Sequence, residues 1–274
     1  MARLPDGTPT PFEVDRLRQG ELFADMERFS REFRARNADT LAPYDEAWDS
    51  DPLNAWSRQW EYPYVFAALQ AEFEGREEPV TVLDAGSGVT FFPYYAMDRL
   101  PGLRMDACDL DPAWGPLYAQ INAREPRQVA FTTEDLRQLS APDAHYDALT
   151  CISVLEHVPN PEKAAREFRR VLKPGGVLVL TLDVKLRGDY EIPLPQAVEL
   201  METLAKELEP QGPYVQAMRD LERMRHPLTA GWRHAEKVTP KAAMPQLKLK
   251  VKRQFFPKLF EDLTFFCATF RRKE

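Results

Sequence analysis

The sequence predicts an α/β protein built on a doubly wound, mostly parallel sheet, and three observations carry that expectation. Short apolar runs follow one another from residue 80 onward: VTVLDA, LRMDACDLD, VAFTTEDL, DALTCISVL and GVLVLTLD. Helical stretches such as FFPYYAMDRL and PEKAAREFRRVL stand between several of them. Runs that are continuously apolar, rather than alternating, mark strands covered on both faces, which is the condition of a parallel sheet wrapped by crossover helices. Several runs also end in acids or in a glycine turn, where open parallel sheets place their ligands.

Ahead of the first strand, Phe12, Leu17, Leu22, Phe23, Met26, Phe29 and Phe33 recur at spacings near three and four. That period predicts an amphipathic helix or a pair of them. A polar stretch with Pro43, Asp49, Asp51 and Pro52 leads into an aromatic block, AWSRQWEYPYVFAAL. Within that block Pro63 predicts an extended or turn backbone, because its ring disfavours the helical region for the residue before it. Glu74 to Pro79 reads as a surface loop. Beyond the five strands, PQAVELMETLAKELE predicts a helix supported by Glu and Lys at i,i+4 spacing, and VQAMRDLERMR a second. Pro227, Pro240, Pro245 and Pro257 break up the next segment, leaving loop with one strand in LKLKVKRQFF. LTFFCATFRR predicts a last strand.

Composition narrows the function. Apolar residues make up 44% and charged residues 29%, the balance of a soluble globular protein. The net charge of −7 repels phosphate polymers and anionic membranes. No run is long enough to span a bilayer, and the first residues hold no signal-peptide core. Cys108, Cys151 and Cys267 fit no zinc spacing, and each falls inside a predicted strand, so buried reduced thiols and a cytoplasmic setting are expected. The stretch from Lys237 to Glu274 holds ten Lys and Arg against three Asp and Glu. It reads as a solvated basic face, with steering of an anionic acceptor as the sharper alternative.

The first strand runs into Asp84-Ala85-Gly86-Ser87-Gly88, a turn whose glycines let the backbone approach a ligand and whose following helix offers free N–H groups. The second ends in Cys108-Asp109-Leu110-Asp111, with Asp109 placed 21 residues after Gly88. A carboxylate there can accept from both hydroxyls of a ribose, which leaves NAD and S-adenosylmethionine open. A dinucleotide fingerprint wants a third glycine at 91, where this chain has Phe91.

The whole series separates the two. VLDAGSG, CDLDP, FTTEDLRQL and YDALTCISVLEHVPNPEKAAREFRRVLKPGGVLVLTLD, in this order, resemble the class I S-adenosylmethionine-dependent methyltransferases of the small-molecule type. The resemblance covers about residues 80–184 and the terminal strand. It implies a Rossmann-like, seven-stranded sheet with a reversed final hairpin and S-adenosyl-L-methionine as cofactor. The expected organisation is a helical cap over 1–78, the cofactor-binding core over 79–185, a cap insertion over 186–260 and a terminal core strand over 261–274.

The family pattern assigns Asp84, Gly86, Ser87 and Gly88 to the methionine part of the cofactor. It assigns Asp109 to the ribose, Leu110 to packing on the adenine, and Asp135 with Leu136 to the adenine edge. Cys151 and Ser153 fall beside the reactive sulfur. The chain departs from the pattern at Thr90, where many members have a third glycine. His157, in LEHV, is the expected base if the acceptor must lose a proton, and Tyr62 and Tyr64 are the expected pocket aromatics. A metal-binding E-x-x-E-H pattern would fall on Ser153 to His157, and its first acid is a serine, so no metal is expected.

The expected reaction is in-line methyl transfer to oxygen or nitrogen of a small-molecule acceptor, of the kind found in secondary metabolism. The alternative is a cofactor-binding protein that does not methylate, either a partner or a catalyst of rearrangement or cyclisation. Nucleic-acid acceptors are disfavoured because CISV stands where amino methyltransferases of nucleic acids carry an N/D-P-P-Y/F motif. A membrane partner is not expected, and the chain is expected as a monomer or a homodimer.

Overall fold

The computed structural model describes residues 3–186, 192–223, 228 and 263–274. Nine helices and seven strands fall within these residues. The strand predicted in LKLKVKRQFF, and most of the basic stretch from Lys237, lie outside them.

The sheet has the order β3-β2-β1-β4-β5-β7-β6. β1 (Val80–Ala85), β2 (Leu103–Asp109), β3 (Ala130–Thr133), β4 (Tyr146–Ile152) and β5 (Leu172–Lys185) are parallel. β7 (Leu263–Arg271) runs antiparallel between β5 and the two-residue β6 (Glu209–Pro210). The reversal of strand order at β1 and β4 opens a crevice at their carboxyl ends. The doubly wound, seven-stranded fold expected from the sequence is what the chain adopts.

Helices cover both faces of that sheet. α5 (Phe92–Arg99) and α6 (Trp114–Asn122) share one core with the N-terminal helices. α7 (Pro161–Val171), α8 (Leu194–Glu207) and α9 (Tyr214–Arg219) build the other, around Phe168, Leu180, Leu200 and Leu204. Strand alternation divides the residues between them: Ile152 packs in the first core and Cys151 in the second. All three cysteines are buried free thiols. Among the described residues no helix is long and apolar enough to cross a membrane.

The N-terminal period resolves into two helices, α1 (Pro11–Arg18) and α2 (Glu21–Arg36). α1 starts in a capping box, in which the Thr10 hydroxyl oxygen accepts from the Glu13 N–H and the Glu13 carboxylate from the Thr10 N–H. The polar stretch after them is not all loop, since α3 (Ala38–Ala47) carries Pro43 inside it.

Pro63 is a second correction. It lies within α4 (Arg58–Phe73) rather than in an extended link. The whole run from Gln59 to Leu69 is buried on every side of this helix. Tertiary packing holds α4 helical, and it outweighs a local preference of the residue before proline. Tyr62, the residue in question, is fixed by Phe91 at 5.7 Å and Phe92 at 5.1 Å between ring centres.

The segment before α1 is tied to β7. Gly7 and Cys267 exchange backbone hydrogen bonds of 2.7 and 3.0 Å, and the Thr8 hydroxyl donates to the Phe265 carbonyl at 2.6 Å.

Candidate active site

The glycine turn leaves β1 with Gly86 at φ +76° and Gly88 at φ +53°, conformations open to glycine and strained for other residues. The Gly86 and Ser87 N–H groups both donate to the Cys108 carbonyl, at 2.9 and 3.0 Å, which pins the turn against the end of β2. Space is closed as well. A methyl on Gly86 would run into both methyls of Val154, and one on Gly88 into the hydroxyl of Tyr44. Thr90 keeps an ordinary backbone, and its hydroxyl oxygen accepts from the Phe92 N–H at 3.4 Å. Two glycines therefore suffice here, and the departure at Thr90 leaves the turn intact.

Asp109 stands directly beside the turn. One of its carboxylate oxygens accepts from the Gly88 N–H at 3.0 Å and the other from the Asp111 N–H at 3.2 Å. Leu110 follows with 69% of its surface exposed, an apolar platform next to that acid. The Ser87 hydroxyl is buried in the joint between turn and α6, where the Tyr118 hydroxyl donates to it at 3.1 Å. A backbone cradle that excludes side chains, an acid at its rim and an exposed leucine beyond it fit an adenosine-bearing ligand.

Asp84 lies beneath the turn, buried, and accepts from the Thr150 hydroxyl at 2.7 Å. Burial pushes its carboxyl up to about 7; the Thr150 hydrogen bond holds it down somewhat, and the Asp109 charge adds to the rise. The folded chain thus keeps a proton that the unfolded chain, with a carboxyl at about 3.9, releases. This contribution to stability is complete below about pH 4 and is lost as pH rises towards 7, by at most about 1.4 kcal/mol per pH unit. Urea unfolding of the ligand-free protein from pH 4.5 to 7.5 is expected to show that decline, and Asp84→Asn to flatten it. An equal slope in the variant would assign the decline to other groups.

A second polar group sits where β4 and β5 end. Ser153, at φ +48°, donates its N–H to the Thr181 carbonyl at 3.0 Å and its hydroxyl to Glu61 at 2.7 Å. Arg58 donates to the Ser153 oxygen at 2.6 Å and pairs with Glu61 one helical turn along α4. Burial opposes the Arg58 charge, and the Glu61 and Asp183 carboxylates more than restore it. Glu156 accepts from the Asp183 N–H at 2.7 Å, and burial followed by the Asp183 charge pushes its carboxyl far up. Sequence reasoning missed Arg58, Glu61 and Asp183. The available signal was an Arg and a Glu at i,i+3 inside a block otherwise apolar enough to be buried.

The remaining predicted residues divide. Tyr62 lies near the site: its ring packs on Phe91 and Phe92 beside the glycine turn, and the Arg58 and Asp84 charges act on its hydroxyl. Tyr64 does not. Two residues on, it projects from another side of α4, with its hydroxyl bonded to Asp6 and to Thr269 at 3.0 Å, so it joins α4 to β7. Cys151 is likewise a core thiol, turned by strand alternation to the α7 side, and Leu136 is buried in the same core. Asp135 is engaged by Arg137, whose Nε lies 2.9 and 3.0 Å from its two oxygens, and that bond draws its carboxyl down to about 2. His157 ends the short 3-10 turn Leu155–His157 and is exposed.

Known proteins resemble this chain in sequence over part of its length and in fold. Residues 83–180 match the family model described as a methyltransferase domain. The chain is 34% identical over 139 residues to the ubiquinone biosynthesis O-methyltransferase of Xanthomonas oryzae pv. oryzae, covering 49% of this chain and 54% of that one. The enzyme of the same name from Citrobacter koseri is 40% identical over 70 residues, 24% of this chain and 29% of that one. The chain thus spans about half the length of the first of these relatives. Among solved structures, the [4+2]-cyclase SpnF aligns over 100% of this chain and 99% of its own, with a TM-score of 0.54 and 19% identity. Phosphoethanolamine N-methyltransferase 2 of Haemonchus contortus aligns over 90% of this chain and 60% of its own, with a TM-score of 0.51 and 16% identity. At those identities the two structures speak for the fold alone. The family match thus lies within residues 83–180, about a third of the chain, and is to a methyltransferase domain.

Proposed function

We propose that this protein is an S-adenosylmethionine-dependent methyltransferase acting on a small molecule, with oxygen as the favoured acceptor atom. The observation that carries the reading is the closed glycine turn at Gly86–Gly88 with Asp109 bonded to it and Leu110 exposed beside it. Oxygen is favoured over nitrogen by the relatives named as O-methyltransferases.

The bound cofactor supplies a methyl group already activated on a sulfonium. What remains for the chain is to hold, orient and exclude water. Gly86 and Gly88 present backbone to the amino-acid end, Asp109 accepts from the ribose hydroxyls, and Leu110 offers the adenine a face. Positioning of an acceptor in line with an activated group accounts for about 7–11 kcal/mol of barrier lowering where the alignment is good. Tyr62, packed on Phe91 and Phe92, is the aromatic wall we propose for that crevice, and exclusion of water there would strengthen the electrostatics inside it. His157 is the base we propose for a protonated acceptor, since it is exposed in the turn that follows the carboxyl end of β4.

Calorimetric titration tests the reading. Wild type is expected to bind S-adenosylmethionine and S-adenosylhomocysteine and to ignore NAD. Asp109→Ala is expected to weaken both sulfur ligands by about 1.5–3 kcal/mol, the range for hydrogen bonds to a charged group. Failure of wild type to bind either ligand would remove the proposal. Incubation with candidate hydroxyl acceptors then reads the reaction by mass: a product heavier by one methylene marks methylation, and an unchanged mass a rearrangement.

A further inference from the structure

We propose that Tyr44 is a cofactor contact delivered by the N-terminal helices, its hydroxyl donating to the carboxylate at the amino-acid end of S-adenosylmethionine. The inference rests on the cofactor assignment above and adds a residue from outside residues 83–180.

Tyr44 belongs to α3, yet its hydroxyl reaches the glycine turn. Its ring carbon Cζ would lie 3.3 Å from a methyl placed on Gly88, with the hydroxyl oxygen closer still. The Val89 backbone N–H lies beside the same oxygen. A neutral phenol has a proton to donate, and the strongest acceptor for a neutral donor is an anion. The amino-acid end of the cofactor brings a carboxylate to this turn.

The side chain is held in place. Its ring is 7% exposed and packs edge-on against Trp114 at 4.9 Å. α3 is fastened to α6 and its following turn: Thr40 bonds to Gln120 at 3.3 Å, and Arg124 forks onto Asp39. Just before α3, Asn37 and Arg36 both grip Glu125, at 2.7 and 2.9 Å. Phenylalanine would fill the same volume without the desolvation cost of a hydroxyl, so packing alone does not account for the oxygen at the turn. The charges acting on it are those of Asp109 and Asp45, which oppose its ionisation, and that of Arg58, which favours it.

The test compares two ligands that differ in the amino-acid end. S-adenosylhomocysteine has it, and 5′-methylthioadenosine lacks it. In calorimetric titration of the full chain, Tyr44→Phe is expected to lose about tenfold or more in affinity for S-adenosylhomocysteine. Its affinity for 5′-methylthioadenosine should stay within about twofold of wild type, and its melting temperature should be unchanged. An equal loss for both ligands would make Tyr44 a packing residue, and no loss or tighter binding would show a hydroxyl that is idle or in the way. Each of these overturns the contact while wild-type binding still upholds the cofactor. If wild type binds neither ligand, contact and cofactor fall together.

Discussion

Arg58→Met is expected to destabilise the protein by about 3–5 kcal/mol, the cost of leaving a buried carboxylate without its counter-ion. Glu61 has no exposed surface and is held by two neighbours, Arg58 and Ser153. Methionine covers much of the arginine stem, so the loss is electrostatic rather than a cavity. For a chain of this length the fall in melting temperature would be roughly 10 °C. Combining Arg58→Met with Glu61→Leu should recover part of that loss, because the unmatched buried charge goes too. Thermal unfolding of the single and double variants decides the matter. A double variant less stable than Arg58→Met would show that Glu61 is held by something other than the pair.

Gly86→Ala should remove cofactor binding altogether, with an affinity loss beyond about a hundredfold. The added methyl meets a left-handed backbone and the Val154 methyls together, so the turn must open to accept it. Gly75 offers a control. It has φ +81° and nothing within 4 Å of an added methyl, so Gly75→Ala carries the backbone strain of about 1–2 kcal/mol without the collision. Titration with S-adenosylhomocysteine is expected to find Gly75→Ala normal and Gly86→Ala silent. Retained binding in Gly86→Ala would mean that the turn is not the cradle.

The contrast between those two glycines also shows what a sequence makes legible. VTVLDAGSG, CDLD and LEHV are contiguous, so strand, turn and acid can be read as one unit, and the fold followed from their order. Residues that meet only through tertiary structure left no such trace. Arg58 and Ser153 are 95 positions apart and bond directly. Tyr44 sits in a stretch that reads as polar, with Pro43 beside it arguing against the helix that carries it. Pro63 misled for the same reason, since burial on every side of α4 overrode a two-residue rule. β6 is two residues long and exists through its pairing with β7, which no local pattern encodes. Tyr64 and Cys151 are expected at the site, and helix and strand periodicity directs Tyr64 to Asp6 and Thr269 and Cys151 into the core on the α7 side.

The position of β7 has a consequence during synthesis. It is the last of the described strands in the sequence, yet it is internal, pairing with β5 from Lys185 to Val177 and with β6 on its other side. Until residues 263–271 leave the ribosome, a nine-residue edge rich in valine and leucine stays open on the nascent chain. Such an edge is a template for pairing with other chains. The same strand receives Gly7 and Thr8, so that segment also waits for its partner. Shielding of the β5 edge before residues 263–271 emerge is therefore a requirement of orderly folding.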